Sequence, residues 1–215
     1  MGTLEPLSNL SSLIRLYLHN CRGDLKCEGL QSLITSGGQL NKLHVTASPK
    51  FFSDWDPNPR QASEDVGGEE HQKQLVSSTL QELYTDDVAG LLAAPICSFL
   101  STSLTKLKLR GNGLKGRSQR VKRFSKEQED ALQLLSSLQE LEFNDFYGLQ
   151  QLPAGLHNLT SLKILLIRNC PVISSLPIDG LPESLRELNV EHCRRLELEQ
   201  QCGGLDGTTP EINIR

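Results

Sequence analysis

The sequence predicts an α/β solenoid of about seven stacked coils, built on one parallel β-sheet with an irregular or short-helical return side. Three observations predict it. The spacing LxxLxL recurs along the chain, as Leu13-Leu16-Leu18, Leu40-Leu43-Val45, Leu104-Leu107-Leu109, Leu138-Leu141-Phe143, Leu162-Leu165-Ile167 and Leu185-Leu188-Val190, with a seventh copy, Leu80-Leu83-Thr85, departing at its last position. Eight residues after the first leucine, four of the seven copies carry Asn or Cys, namely Cys21, Asn112, Cys170 and Cys193. Leucine makes up half of an apolar fraction of only 37%, and aromatics are 5%, which is thin for a sandwich or a barrel but fits a core dominated by one repeated side chain. Alternating leucines at this spacing form a half-buried strand followed by a turn, and the whole pattern is that of a leucine-rich-repeat horseshoe, a right-handed solenoid with a concave sheet.

A single coil cannot bury its own apolar edge, so neighbours must stack. The Asn or Cys at the turn is expected to hydrogen-bond the backbone of adjacent turns, because buried backbone groups need partners. Cys21, Asn112, Cys170 and Cys193 are therefore assigned to a structural ladder, the three cysteines as buried thiols. Cys27, Cys97 and Cys202 fall outside that position and receive no role. None of the six cysteines forms a CxxC pair, so zinc and thioredoxin-like motifs have no support.

First leucines stand at positions 13, 40, 80, 104, 138, 162 and 185, giving steps of 27, 40, 24, 34, 24 and 23 residues. The shortest steps are the plain repeat, and the two long ones contain insertions. The first, about 49–74, is rich in Pro, Gly and acid and reads as a mobile surface loop, with Trp55 packing it onto the solenoid. The second, about 115–130, begins with a basic cluster, Lys115 to Lys126, read as a solvated loop. Its later part reads as a short helix capped by Ser125, with Gln128 three residues on. The repeat domain is placed at 1–198, and a tail at 199–215, rich in turn residues and out of register, is expected to be partly disordered.

Strand side chains alternate, so the residues between buried leucines face the concave side. They are Arg15, Tyr17 and His19; Lys42, His44 and Thr46; Glu82, Tyr84 and Asp86; Lys106, Lys108 and Arg110; Glu140, Glu142 and Asn144; Ile164, Leu166 and Arg168; and Glu187, Asn189 and Glu191. The candidate partner-binding residues are the first five sets without Thr46. Tyr17, His44 and Tyr84 share one column of three successive coils, and a solvated sheet has little need of three aromatics in line. Charged neighbours of opposite sign either pair laterally and keep the sheet soluble or orient a partner. Ile164 and Leu166 are expected to expose apolar surface on the same face.

No catalytic constellation emerges. GNGLKGRS, Gly111 to Ser118, nearly matches the phosphate loop GxxxxGK[ST], but Arg117 stands where Lys is required. The five histidines form no HExxH, and no serine lies in GxSxG. The expectation is a non-enzyme without cofactor or metal. Net charge is −4, which gives no reason to expect nucleic acid as partner. No stretch approaches the ~20 apolar residues of a membrane span. The segment MGTLEPLSNL lacks the basic start and apolar block of a secretory signal, and Pro6 stands where a myristoylation site has Ser or Thr. A cytoplasmic location follows as an expectation.

The elements LPxxLxxLTSLxxLxIxxC, Leu152 to Cys170, and LPxSLxxLxVxxC, Leu181 to Cys193, resemble the C-terminal repeats of plant nucleotide-binding leucine-rich-repeat immune receptors of the cereal type. With the looser repeats from Leu10 onward, the resemblance covers most of the chain. It implies a domain that senses pathogen effectors and restrains a nucleotide switch, with an effector, a guarded host protein or the receptor's own nucleotide-binding domain as partner. The chain lacks the coiled coil, phosphate loop and nucleotide-binding domain of that family, and so looks like a fragment or truncated product. Two other classes share the repeat. An extracellular inhibitor or receptor ectodomain would bring an export signal, paired capping cysteines and GxIPxxL. A substrate-selecting scaffold of a ubiquitin ligase would bring an F-box.

Overall fold

The computed structural model describes residues 2–21, 25–48, 50–57, 77–111, 121–173, 175–177, 179–193 and 211–214. Asn112, most of the first insertion and the basic start of the second therefore lie outside the described residues, as do Cys202 and the rest of the tail.

All seven LxxLxL segments form strands: β1 Arg15–His19, β2 Lys42–Thr46, β3 Glu82–Thr85, β4 Lys106–Arg110, β5 Glu140–Asn144, β6 Ile164–Arg168 and β7 Glu187–Glu191. An eighth, β8 Glu211–Ile214, lies in the segment that carries no repeat register in the sequence, so the sheet extends past the expected boundary at 198. Spatial order equals chain order, every pairing is parallel, and β1 and β8 are the two ends of one open sheet. The repeat fixes the register. Leu16, Leu43, Leu83, Leu107, Leu141, Leu165, Leu188 and Ile212 are successive partners in one row.

Each row has a physical cause. Leucines one strand apart share a face, so burying the row removes a continuous aliphatic ribbon from water, each side chain contributing roughly 1.5–3 kcal/mol. From β2 to β7 these leucines are almost wholly buried. Among the described residues, four short α-helices lie between strands: α1 Leu30–Ile34, α2 Val88–Leu91, α3 Ala94–Leu100 and α4 Lys126–Gln133. Their apolar residues, including Leu30, Leu91, Ile96 and Leu132, join the same core as the strand leucines. The helices thus cover the leucine side of the sheet, and among the described residues no helix covers the other side. Ser125 and Gln128 form the expected capping box at the start of α4, with reciprocal hydrogen bonds of 3.3 and 3.0 Å. Trp55 packs its loop onto the core, against Phe52 at 6.0 Å and edge-on to Phe99 of α3 at 6.1 Å.

Strand ends are stitched by two backbone devices. The carbonyl of the second residue of a repeat accepts two N–H bonds from the next coil, as Thr105 does from Gln139 (2.8 Å) and Glu140 (3.0 Å). The residue before the ladder position takes a left-handed conformation in five coils, at Asn20, Ala47, Asp145, Asn169 and His192. Asn, Asp and His tolerate that region better than most residues. Gly111 holds the same place in β4's coil, where an added Cβ would meet the Asp145 carbonyl oxygen at 2.5 Å.

The ladder itself is graded. Cys170 is buried, and its thiol reaches the carbonyl oxygens of Phe143 on the preceding strand (3.7 Å) and of Arg168 (3.1 Å). Cys193 reaches Ile167 (3.7 Å) and Glu191 (3.4 Å) but is only half-buried. Cys21, also half-buried, reaches only His19 of its own strand, at 3.9 Å. The expectation of three buried thiols thus holds for Cys170 alone, because burial at this position needs coils on both sides. The hydrogen bond to Cys193 and burial push the Cys170 thiol up. Burial likewise pushes Cys27 and Cys97 up to about 12, which leaves both as unreactive core thiols.

Thr85, the departure from the third repeat, is fully buried, and its hydroxyl accepts from the Asp87 N–H at 3.0 Å. The hydroxyl supports a polar turn centred on Asp87, whose buried carboxylate caps α2 through the Gly90 N–H (3.0 Å) and takes the Phe52 N–H (2.7 Å) from the neighbouring coil. Burial raises the Asp87 carboxyl above its ordinary value.

Candidate functional site

The free face of the sheet carries three columns of side chains set by the strand register. The central column reads Tyr17, His44, Tyr84, Lys108, Glu142, Leu166, Asn189 and Asn213 from β1 to β8. The column on the strand-start side reads Arg15, Lys42, Glu82, Lys106, Glu140, Ile164, Glu187 and Glu211. The third, at the strand ends, includes His19, Thr46, Arg110, Asn144, Arg168 and Glu191.

The aromatic column is continuous. Tyr17 and His44 rings lie 5.7 Å apart, His44 and Tyr84 rings 4.1 Å apart, both tilted, and the Lys108 ammonium sits 5.0 Å from the centre of the Tyr84 ring. Such contacts typically contribute about 0.5–1.5 kcal/mol for a ring pair and about 0.5–1 kcal/mol for an exposed cation over a ring. Burial, with the positive charge of Lys108 next, lowers the His44 pKa, so the imidazole is the more firmly neutral at pH 7. Burial raises the Tyr84 phenol. The strip is uncharged and amphipathic, and Tyr17 at its end is 58% exposed.

The charges around it are paired. Lys42 meets Glu82, Lys106 meets Glu140 at 3.0 Å, and Lys108 meets Glu142 at 2.7 Å. Hydrogen bonding to Glu140 raises the Lys106 pKa. Arg168 Nη1 approaches Glu142 Oε1 at 3.5 Å and its Nε approaches Glu191 at 3.1 Å. These last contacts come from proximity, since Glu142 Oε1 and Arg168 Nε lack aligned hydrogen bonds. Opposite charges on adjacent strands are thus neighbours, as lateral pairing requires, without every buried atom being hydrogen-bonded. An open depression of about 290 Å³ lies beside the strip, lined by residues of β2 to β5, among them Lys42, His44, Tyr84, Lys106, Lys108 and Glu142.

Several sequence-predicted residues take other places. Asp86 lies one residue past β3, and its carboxylate accepts the Ala47 and Ser48 N–H groups at 2.7 and 3.3 Å. From there it braces the β2 turn while staying half-buried. Glu142 is only 6% exposed, and Leu166 8%, so the expected apolar patch at Ile164 and Leu166 is half-closed by its own neighbours. His19 Nδ1 and Thr46 Oγ1 lie 2.6 Å apart, but Thr46 is buried, so the pair offers no reachable nucleophile. Asp145 is a participant that sequence reasoning missed. It ties Arg110 at 2.9 Å and Asn169 at 3.1 Å. The signal was present, since the residue before the ladder position reads Asn, Ala, Asp, Gly, Asp, Asn and His in the seven coils.

Among the described residues, no group of three or more His, Cys, Asp or Glu side chains could hold a metal ion, and no helix is long and apolar enough to cross a membrane. Comparison of the chain with protein-family models, with curated proteins and with solved structures found no match.

Proposed function

We propose that the chain is a leucine-rich-repeat module that binds a protein partner on the free face of its sheet, the concave wall of a horseshoe. The observation that carries this reading is the Tyr17–His44–Tyr84 stack. Three amphipathic rings in line on an open strand surface, next to that depression, present large contact area with few rotatable bonds, the chemistry of interface anchors. The surrounding charges already have opposite charges beside them, so they set orientation and solubility more than affinity. The resemblance of Leu152–Cys170 and Leu181–Cys193 to cereal immune-receptor repeats supports an effector-sensing or autoinhibitory role in plant defense, in the cytoplasm, without catalysis or cofactor.

The test is co-purification from the source tissue with the wild-type chain and with a Tyr17→Ala/His44→Ala/Tyr84→Ala variant. A partner retained by the wild type and lost from a variant of unchanged circular dichroism supports the reading. A partner held equally by both moves the recognition surface elsewhere.

A further inference from the structure

The two ends of the sheet are unlike, and their differences match. Among the described residues, β1 pairs only with β2, and β8 only with β7. On the β1 coil, Leu13, Leu16 and Leu18 are half-buried, whereas Leu40, Leu43 and Val45 in the same register are almost wholly buried. Among the described residues five large apolar side chains are exposed, and three belong to this coil: Leu10 and Ile14 at 48% and Tyr17 at 58%. Ile14 is the odd member of its position, which holds Asn41, Gln81, Thr105, Gln139, Lys163 and Arg186 in the other coils. Leu10 stands three residues before its first leucine, as Leu135 and Leu159 do, and both of those are buried by a neighbouring coil. The β1 end therefore has the chemistry of an interior coil face.

We propose that a second copy of this chain covers that face, its β8 lying parallel to β1 and continuing the sheet from one molecule into the next. The β8 end supplies the complement. In the established register Ile212 would fall beside Leu16, extending the buried row, and Asn213 beside Tyr17. The strand-start column decides between a second copy and an unrelated strand. It ends in two acids, Glu187 and Glu211, and begins with two bases, Arg15 and Lys42. Inside the molecule the same column pairs Lys42 with Glu82 and Lys106 with Glu140. Glu211 against Arg15 repeats that rule across the junction and relieves the only adjacent acids in the column. Unpaired strand edges are also ready templates for further strands. The contact is head to tail, so it uses different surfaces on the two copies and grows into open chains.

Sedimentation velocity of the full chain over a wide concentration range tests this. Growth beyond the dimer is expected for the wild type. Arg15→Glu and Glu211→Arg should each weaken it by at least about tenfold, since each sets like charges side by side. The double variant should restore it. Arg15 and Glu211 are exposed, and unchanged circular dichroism verifies the fold. A monomer at every concentration, a ceiling at the dimer, single variants that associate like the wild type, or no recovery in the double variant would each overturn the proposal.

Discussion

Residues 11–21, SSLIRLYLHNC, and 160–170, TSLKILLIRNC, carry nearly the same pattern and meet different fates. Both make a five-residue strand followed by a left-handed Asn. In the second, Leu162, Leu165, Ile167 and Cys170 are fully buried, whereas in the first their counterparts Leu13, Leu16, Leu18 and Cys21 are half-buried. The motif therefore encodes the strand and turn, and the neighbours supply the burial, as expected when each coil contacts only those beside it.

Paired truncations sharpen that comparison, and they carry the largest expected effect. Leu165→Ala should destabilise by about 2–5 kcal/mol, because a cavity opens between two coils that cannot collapse onto it. Leu16→Ala, one flank of which is already open, should lose only about 1 kcal/mol, in line with half the transfer free energy of a leucine. Urea denaturation of the two variants against the wild type reads the difference. Equal losses would mean that the β1 coil is as enclosed as the β6 coil.

Asp87 tests the polar side of the same contrast. Its carboxylate satisfies two N–H groups, one of them buried at Phe52, so Asp87→Ala should lose about 1–3 kcal/mol at neutral pH. The pH dependence has a definite sign. The folded carboxyl titrates above the ordinary 3.8, so the folded state takes up its proton first. The stability linked to this group grows as pH falls through the raised value, is complete below 3.8, and is absent in Asp87→Ala. Unfolding free energies of the two proteins that change in parallel on acidification would contradict it. On the exposed face, Lys106→Ala should fall within about 1 kcal/mol of wild type, as a solvated pair with Glu140 implies.

How much of this was legible beforehand follows from what a repeat encodes. The seven strands, their alternation and the Tyr–His–Tyr column follow from spacing alone, since period-two alternation and a shared register decide which atoms meet. The capping box at Ser125 and Gln128 was equally local. Strand β8 was not, because EINI offers a short alternation without a leucine frame and becomes a strand only by lying against β7. The bracing contact of Asp86 was hidden for a related reason. Its distance from Leu80 continues the outward alternation, but β3 ends at Thr85 and the side chain turns to the backbone of the preceding coil. The burial of Glu142 goes with Lys108 and Arg168 reaching it from both adjacent strands, which a one-strand reading does not count.

The face and the interior should also respond oppositely to acid, and His44 gives the smallest of these effects. Its ring lies between Tyr17 and Tyr84, with Lys42 and Lys108 as neighbouring cations, and its pKa is held below the ordinary 6.5 first by burial and then by Lys108. The unfolded chain therefore binds this proton before the folded one does. Stability linked to His44 is fully present above 6.5 and is lost as pH falls through the lower folded value, the reverse of Asp87. Nuclear magnetic resonance titration of the imidazole should place its midpoint below 6.5 in the wild type. Lys108→Met should move that midpoint upward, since it removes a cation and leaves a side chain of similar length. A midpoint at or above 6.5 in the wild type would mean that the ring stands in solvent and that the aromatic column is not closed.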